Sequence, residues 1–217
     1  MLSLTSIECI DRGIEAYPIT WAAMRAYTEG RDQASCDQIW FVQHLPVFTQ
    51  GQNGKPQHIL ASGNIPIIQS DRGGQVTYHG PGQLIAYVLI DLRRAQFNLR
   101  QLISKLEQAV VGTLQSYGVL ANTRPHAPGV YVNEAKICSL GLRIRHGYTY
   151  HGLALNIDMD LTPFSRIHPC GFVGMPITQI KAFVEHIHVR SVQHKLSCQL
   201  ITQLTKEPSH AKKQPCE

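Results

Sequence analysis

The stretch Arg72-Gly73-Gly74-Gln75-Val76-Thr77-Tyr78-His79-Gly80-Pro81-Gly82-Gln83 constrains this chain most. Four glycines and a proline stand there among Arg, Thr, Tyr, His and two Gln. An apolar run, Ile65-Pro66-Ile67-Ile68, enters it and another, residues 84–92, leaves it. The pattern predicts two strands joined by a loop too polar for a core and too rich in glycine to carry bulk. Gly73 and Gly74 allow close approach of backbone to a ligand, or positive φ. Loops held between strands are where binding residues concentrate. A wide turn also explains clustered glycine and proline, but it does not need Arg72, Tyr78, His79 and Gln83 together.

The remaining elements follow from periodicity. Residues 1–13 read as a short strand and turn. Residues 17–30 read as a helix opened by Pro18, with Tyr17, Trp21, Met24 and Thr28 on one face. Ile39-Trp40-Phe41-Val42 is a buried strand, residues 44–56 a loop, and residues 65–69 a strand. Residues 83–91 are apolar nearly throughout, which predicts a strand covered on both faces. Asn98 caps a helix whose Leu99, Leu102, Ile103, Leu106, Val110 and Leu114 recur at helical spacing, and Gly118 stops it. Residues 129–132 form a strand; residues 136–145 and 148–158 form two more around a His146-Gly147 turn. Residues 161–167 form one helical turn. A last helix, residues 189–204, shows Val192, Leu196, Leu200, Ile201 and Leu204. The tail, residues 206–217, is polar and expected to be disordered.

With 217 residues, 43% hydrophobic and 16% charged, the composition suits one α/β domain, residues 1–205. No apolar run reaches the roughly 20 residues that span a bilayer. The N-terminal residues lack a basic stretch followed by an apolar one, which points to the cytoplasm rather than secretion. The six cysteines form no C-x-x-C pair and no disulfide framework, so free thiols are expected. The net charge of +5 suits nucleic acid or acidic proteins equally, but no arginine-rich run or aromatic platform supports nucleic acid.

Two residues could carry chemistry. Lys136 opens a strand whose alternation puts Lys136, Cys138, Leu140, Leu142 and Ile144 on one face, the apolar one. Desolvation there would favour the neutral amine, which can act as a general base. A lysine whose stem snorkels to water fits the spacing too. Cys170 lies between Pro169 and Gly171, in a loop able to hold a side chain in a fixed place. A thiol of ordinary pKa, about 8.5, is only a few per cent thiolate at pH 7, so a nucleophilic Cys170 needs a base or cation beside it. His79, His151 and His168 compete for that role, and a structural thiol fits the spacing too. Cys138, His151, His168 and Cys170 could form a zinc set only without any recognised metal spacing.

Residues 72–83 resemble the signature of the lipoyl(octanoyl) transferases, octanoyl-[acyl-carrier-protein]–protein N-octanoyltransferases. Pro169-Cys170-Gly171 and Lys136-Ile137-Cys138-Ser139-Leu140-Gly141 are similar to the family's two catalytic segments, in the family's order. His151-Gly152-Leu153-Ala154-Leu155-Asn156 is similar to a third, which lines the acyl site. The resemblance runs from about residue 65 to 174 and extends to His44-Leu45-Pro46-Val47-Phe48-Thr49. It implies the biotin/lipoate protein ligase-like fold, a mixed sheet with flanking helices. It implies a Cys170–Lys136 dyad that moves an octanoyl group through a cysteine thioester, with no metal or cofactor. The donor is then octanoyl-acyl-carrier protein. The acceptors are apo lipoyl domains of 2-oxoacid dehydrogenase complexes and the glycine cleavage H protein. The implied binding residues are Arg72, Gly73, Gly74, Gln75, Val76, Thr77, Tyr78 and His79, Ser139, Leu140 and Gly141, and Gly152, Leu153 and Ala154. Gly141 and Gly152 would leave room for the acyl chain. Backbone N–H groups of Pro169-Cys170-Gly171 or near Ser139-Leu140-Gly141 would stabilise the oxyanion. Arg72, Arg143, Arg145 and Lys181 would meet acidic partners.

Three other readings compete. An ATP-dependent lipoate- or biotin-type ligase also uses a glycine-rich loop and a lysine, but needs no nucleophilic cysteine. A domain that only binds acyl-carrier protein or a lipoyl domain would survive loss of both Cys170 and Lys136. A zinc-bearing nucleic-acid module would show metal and salt-dependent affinity.

Overall fold

The computed structural model describes residues 7–205, apart from the side chain of Cys170. The polar tail lies outside the described residues. In chain order the elements are β1 (Ile7–Glu15), α1 (Tyr17–Glu29), β2 (Asp37–His44), β3 (Val47–Gln50), β4 (Ile67–Gln69), β5 (Val76–His79) and β6 (Gln83–Leu89). There follow α2 (Leu92–Ala95), α3 (Leu99–Gln115), β7 (Asn122–Thr123), β8 (Gly129–Val132), β9 (Ala135–Arg145), β10 (Tyr148–Asn156) and α4 (Val189–Thr205). A seven-stranded sheet has the order β1-β2-β6-β10-β9-β8-β7, and a small second sheet the order β4-β3-β5. Both are mixed: β1 runs parallel to β2 and β4 parallel to β3, and the other pairs are antiparallel.

Strand β6 shows why the large sheet is covered twice. Leu84, Ala86 and Val88 face one way, onto Leu102, Leu106 and Val110 of α3 and Val192, Leu196 and Leu200 of α4. Ile85, Tyr87 and Leu89 face the other way, onto Met24 of α1 and Trp40, Tyr150 and Ala154. Each fully buried large side chain contributes about 1.5–3 kcal/mol by leaving water. Asn98 caps α3 through a reciprocal pair. It accepts the Gln101 N–H at 2.9 Å, and Gln101 accepts the Asn98 N–H at 2.9 Å. His146 and Gly147 both have positive φ, 53° and 88°, as a two-residue hairpin turn requires.

Several expectations need correction. Residues 44–56 are not all loop, because β3 lies within them. Residues 72–83 are not all loop either: Val76–His79 is a strand, and all four of its residues are buried. Its backbone pairs with β3 and the His79 ring bonds Thr49 and Gln83, so polarity there does not mean exposure. The strict alternation expected along residues 136–145 breaks at a bulge. Val130 pairs with Cys138 but Tyr131 with Lys136, so Ile137 is an extra residue and joins Cys138 in the core. Leu99 and Ile201, expected on core faces, are 39% and 36% exposed. Among the described residues no helix is long and apolar enough to cross a membrane.

Leu106 is fully buried between sheet and helices, whereas Leu120 is 82% exposed. Leu106→Ala should cost about 2–5 kcal/mol of unfolding free energy. Leu120→Ala should stay within about 0.5 kcal/mol. Urea titration of both variants checks this, and equal midpoints would contradict the layer assignment.

Candidate active site

Arg72 turns inward. Its guanidinium donates to the Thr49 carbonyl at 2.6 Å, the Thr49 hydroxyl at 2.9 Å, the Gln75 carbonyl at 2.7 Å and the Gly73 carbonyl at 2.9 Å. It therefore winds residues 73–75 around itself and is 8% exposed, so it is no surface contact for an acidic partner. The loop it shapes lies on β9: the Gly73 N–H donates to the Leu142 carbonyl at 2.9 Å. Gly74, with φ of 83°, supplies the reversal.

A relay of hydrogen bonds continues from there. The Thr49 hydroxyl already accepts from Arg72, so it donates to His79 Nε2 at 3.2 Å. His79 Nδ1 donates to the Gln83 carboxamide oxygen at 2.7 Å, and Gln83 Nε2 donates to Asn156 at 2.9 Å. Asn156 donates to the Thr178 carbonyl at 3.0 Å, and the Thr178 N–H donates to the Lys136 carbonyl at 3.0 Å. The relay needs a neutral His79, and burial, with the nearby His44, pulls its pKa well below the ordinary histidine value.

Two cavities meet at Gly74, Gln75, Leu140 and Gly141. The narrow one, about 50 Å³, is lined on one side by Arg72, Val76, Thr77 and His79, and on the other by Ser139, Gly152, Leu153 and Ala154. The wider one, about 330 Å³, contains Gly73, Lys136, Leu142 and Phe172, with Leu99 and Ile103 of α3 on its rim. That rim explains why these two apolar side chains of α3 miss the core. The expected binding residues thus gather around the two cavities, except Tyr78. Strand alternation turns Tyr78 away, onto Phe48 and Phe164 at 5.6 Å each between ring centroids. Gly141 and Gly152 line the narrow cavity and also let neighbouring backbone come close. A Cβ on Gly141 would stand 3.0 Å from the Gly73 carbonyl oxygen, and one on Gly152 would collide with that of Ala86.

Lys136 is buried at 3% exposure in the wall of the wider cavity. Its Nζ donates to the Pro128 carbonyl at 3.2 Å and stands 5.3 Å from the centre of the Tyr131 ring. Its stem lies against Gly129, where a Cβ would come within 2.9 Å of Lys136 Cε. Gly129 is held in turn by Glu107, whose carboxylate accepts its N–H at 2.9 Å. Burial raises the Glu107 pKa, and the Gly129 hydrogen bond and the charge of Lys136 offset part of the rise.

Cys170 belongs to a short 3₁₀ turn, Pro169–Gly171, packed against β5. Gly171 has φ of 79°, and a Cβ there would strike the Gln75 carboxamide, so the turn abuts a residue common to both cavities. Past the turn the chain returns to Lys136, whose N–H donates to the Pro176 carbonyl at 2.8 Å. The Gly171 N–H closes the turn onto the His168 carbonyl at 2.9 Å. Of the three competing histidines, His79 sits in the relay, His151 donates to Asp71 at 2.8 Å, and the His168 ring stands 6.1 Å from that of His58. Cys138 is a core thiol whose pKa burial pushes well up. Among the described residues no three His, Cys, Asp or Glu side chains are placed to hold a metal ion. Arg143, Arg145 and Lys181 stay at the surface, bonded to Gln52 at 2.7 Å, Glu29 at 3.4 Å and Asp158 at 3.7 Å.

Sequence reasoning missed Tyr17, Ile85, Tyr87 and Asp71. Tyr17 and Tyr87 read as core residues of a helix and a strand, and no sequence signal marks them as lining a cavity. Asp71 accepts from His151 at 2.8 Å, Tyr150 at 2.6 Å and Trp21 at 2.8 Å. Burial alone would raise its pKa, but these donors outweigh that and hold it well below the usual carboxylate range. His151 has φ of 62° in the middle of a strand. Burial lowers its pKa despite Asp71.

Residues 16–201 match the lipoyl protein ligase A/B catalytic domain model. An octanoyltransferase of Pseudomonas entomophila is 54% identical over 89% of this chain and 90% of its own length. One of Photorhabdus laumondii is 59% identical over 83% and 85%. The chain belongs to the octanoyltransferase family. It is an acyltransferase of protein lipoylation. Solved relatives share the fold at low identity. Lipoate-protein ligase A bound with ATP superposes with a TM-score of 0.76 at 16% identity, covering 91% of this chain and 85% of that one. The Aquifex aeolicus biotin protein ligase in complex with biotin and ATP gives 0.59 at 11%, covering 92% and 70%. The octanoyltransferase fold is thus the one expected from the motifs.

Two outcomes follow for this octanoyltransferase. Thr49→Val keeps the shape but removes the acceptor of Arg72 and the donor to His79. It should cost about 1–3 kcal/mol in urea titration and slow octanoyl transfer; unchanged stability and rate would contradict the relay. Burial also lowers the His44 pKa to about 4, and those of His79 and His151 fall as well. In the unfolded chain they titrate near about 6.5. Below that pH the unfolded state binds protons that the folded state refuses, so this stability is complete above pH ~6.5 and is lost as pH falls towards ~4. The urea midpoint should therefore drop between pH 7.5 and pH 5, and an equal midpoint at both would contradict it.

Proposed function

We propose that Cys170 is the acyl carrier of this octanoyltransferase and Lys136 its general base and acid. The supporting observation is the burial of Lys136 in the cavity wall, with the chain leaving the Cys170 turn tied to its backbone. Lys136 takes the thiol proton of Cys170. The thiolate adds to the carbonyl carbon of an octanoyl thioester on the phosphopantetheine arm of acyl-carrier protein. The carbon–sulfur bond to the arm breaks, and the Lys136 ammonium returns its proton to the departing thiolate. Octanoyl now rests on Cys170. The ε-amine of a lysine on an apo lipoyl domain, or on the glycine cleavage H protein, then attacks that thioester. Lys136 takes the proton that the amine loses and passes it to the departing Cys170 sulfur, which leaves as the thiol. Thioester for thioester is near balance and thioester to amide is downhill, so the sequence consumes no ATP.

The two joined cavities together receive the acyl chain and the end of the arm that carries it. At Gly129, whose φ is 144°, a Cβ would stand 2.8 Å from the Cys138 carbonyl oxygen and 2.9 Å from Lys136 Cε, so Gly129→Ala strains the β8–β9 pairing and displaces the base with it. It should lower the acylation rate by tenfold or more, on the order of 1.4 kcal/mol, with little change in the binding of the acyl carrier. An unchanged rate would contradict the placement of Lys136.

Mixing the protein with octanoyl-acyl-carrier protein without ATP, followed by acid quench and intact mass, tests the reading. The expected result is one octanoyl adduct that hydroxylamine removes, that maps to Cys170 and that is absent from Cys170→Ser. Octanoyl transfer that occurs only with ATP and free octanoate would replace this reading with that of a ligase. Cytoplasmic residence is consistent with these partners and belongs to the same proposal.

A further inference from the structure

We propose that Glu107 is a positioning residue of the acylation step, acting on Lys136 through the one peptide unit that joins Pro128 to Gly129. This rests on the proposed role of Lys136 as the base.

Glu107 lies on α3, one turn after Ile103 on the rim of the wider cavity, and is only 9% exposed. Its helix neighbours Leu106 and Val110 are core side chains. A carboxylate in such a place is costly unless it is hydrogen-bonded. Its partner is the Gly129 N–H at 2.9 Å, where α3 packs on β8.

The same peptide unit meets Lys136 with its other end. Its carbonyl, that of Pro128, accepts from Lys136 Nζ at 3.2 Å. A planar trans peptide points its N–H and C=O in opposite directions. Carboxylate, peptide and amine therefore form one chain of hydrogen bonds, with the carboxylate at one end and Nζ at the other. The carboxylate draws on the N–H and makes the carbonyl a stronger acceptor, which fixes Nζ and favours the ammonium over the amine. The coupling shows from the other side too, since the charge of Lys136 lowers the Glu107 pKa against the rise that burial causes.

The other ionisable groups around Lys136 act differently. Tyr131 of β8 offers its ring, 5.3 Å from Nζ, and the Arg124 guanidinium lies over that ring at 4.1 Å. Arg124 is paired with Glu134 at 2.6 Å. His126 shares the lining of the wider cavity. Cys138 of β9 stays a neutral thiol because burial pushes its pKa well up. Cys170 is the proposed reaction partner. The proton that leaves Cys170 settles on Lys136 Nζ, and Glu107 neither gains nor loses one. Its charge favours the thiolate–ammonium pair over thiol and amine, so the thiolate forms at lower pH than it would beside a neutral residue 107.

The experiment is single-turnover acylation of the full-length protein by octanoyl-acyl-carrier protein between pH 6 and pH 9, read by intact mass. Glu107→Gln keeps an acceptor oxygen for the Gly129 N–H and removes the charge. The acid limb of its profile should move up by about one pH unit. Its rate should fall about tenfold near pH 6 and by less towards pH 9. A merely structural Glu107 would lower every rate alike and leave the limb where it is, which would overturn the proposal. A second measurement leaves Glu107 in place: its carboxyl carbon is titrated by carbon-13 NMR in wild type and in Lys136→Met. Linkage is reciprocal, so the Glu107 pKa should rise by about one unit in the variant. The same Glu107 pKa in both proteins would overturn the coupling, and this titration decides if Glu107→Gln does not fold. Lys136→Met acylating as fast as wild type would overturn the base itself, and Glu107 with it. A slow Lys136→Met with an unmoved limb in Glu107→Gln would overturn the role of Glu107 alone.

Discussion

The hydrogen-bond relay that begins at the Arg72 guanidinium and ends at the Lys136 backbone is the constraint on which the site depends. It passes through Thr49, His79, Gln83, Asn156 and Thr178, from the small sheet to the large one. Without it, residues 73–75 have no reason to lie on β9, and the two cavities on either side of them have no common wall. Every link is buried or nearly so, where an unmade bond is expensive and a complete network is stiff. The polar residues of the glycine-rich stretch are therefore first of all structural.

The same burial orders the charges. His44, His79 and His151 are held neutral, while Asp71 remains anionic because three donors converge on it. Lys136 and Glu107 meet at Gly129, against which the Lys136 stem lies and whose N–H the Glu107 carboxylate accepts. The region thus sets the rings and the inward Arg72 around the narrow cavity and Lys136 in the wall of the wider one.

Much of the scaffold was legible in the sequence because local pattern and tertiary role agree. Residues 83–91 read as a doubly covered strand, Asn98 as a cap and His146-Gly147 as a hairpin turn, and each has that role. The strand Val76–His79 was not legible, because glycines on both sides and polar residues within suggest a loop until β3 is there to pair with it. The direction of Tyr78 and the inward turn of Arg72 follow from that hidden strand. The bulge at Ile137 defeated strict alternation for a similar reason, since one extra residue is invisible without its partner strand. Motif residues were legible as a group, but Tyr17 and Tyr87 were not, because ordinary apolar periodicity accounts for them. Their cavity role comes from α1 and β6 crossing, which no local signal reports.

The most direct test of the account is the rate at which iodoacetamide alkylates Cys170 as a function of pH, followed on the Cys170 peptide in wild type and in Lys136→Met. The proposed pairing of Lys136 with Cys170 predicts a wild-type apparent pKa well below the ordinary thiol value of about 8.5, rising towards it in the variant. The same pKa in both proteins would contradict the pairing of Lys136 with Cys170.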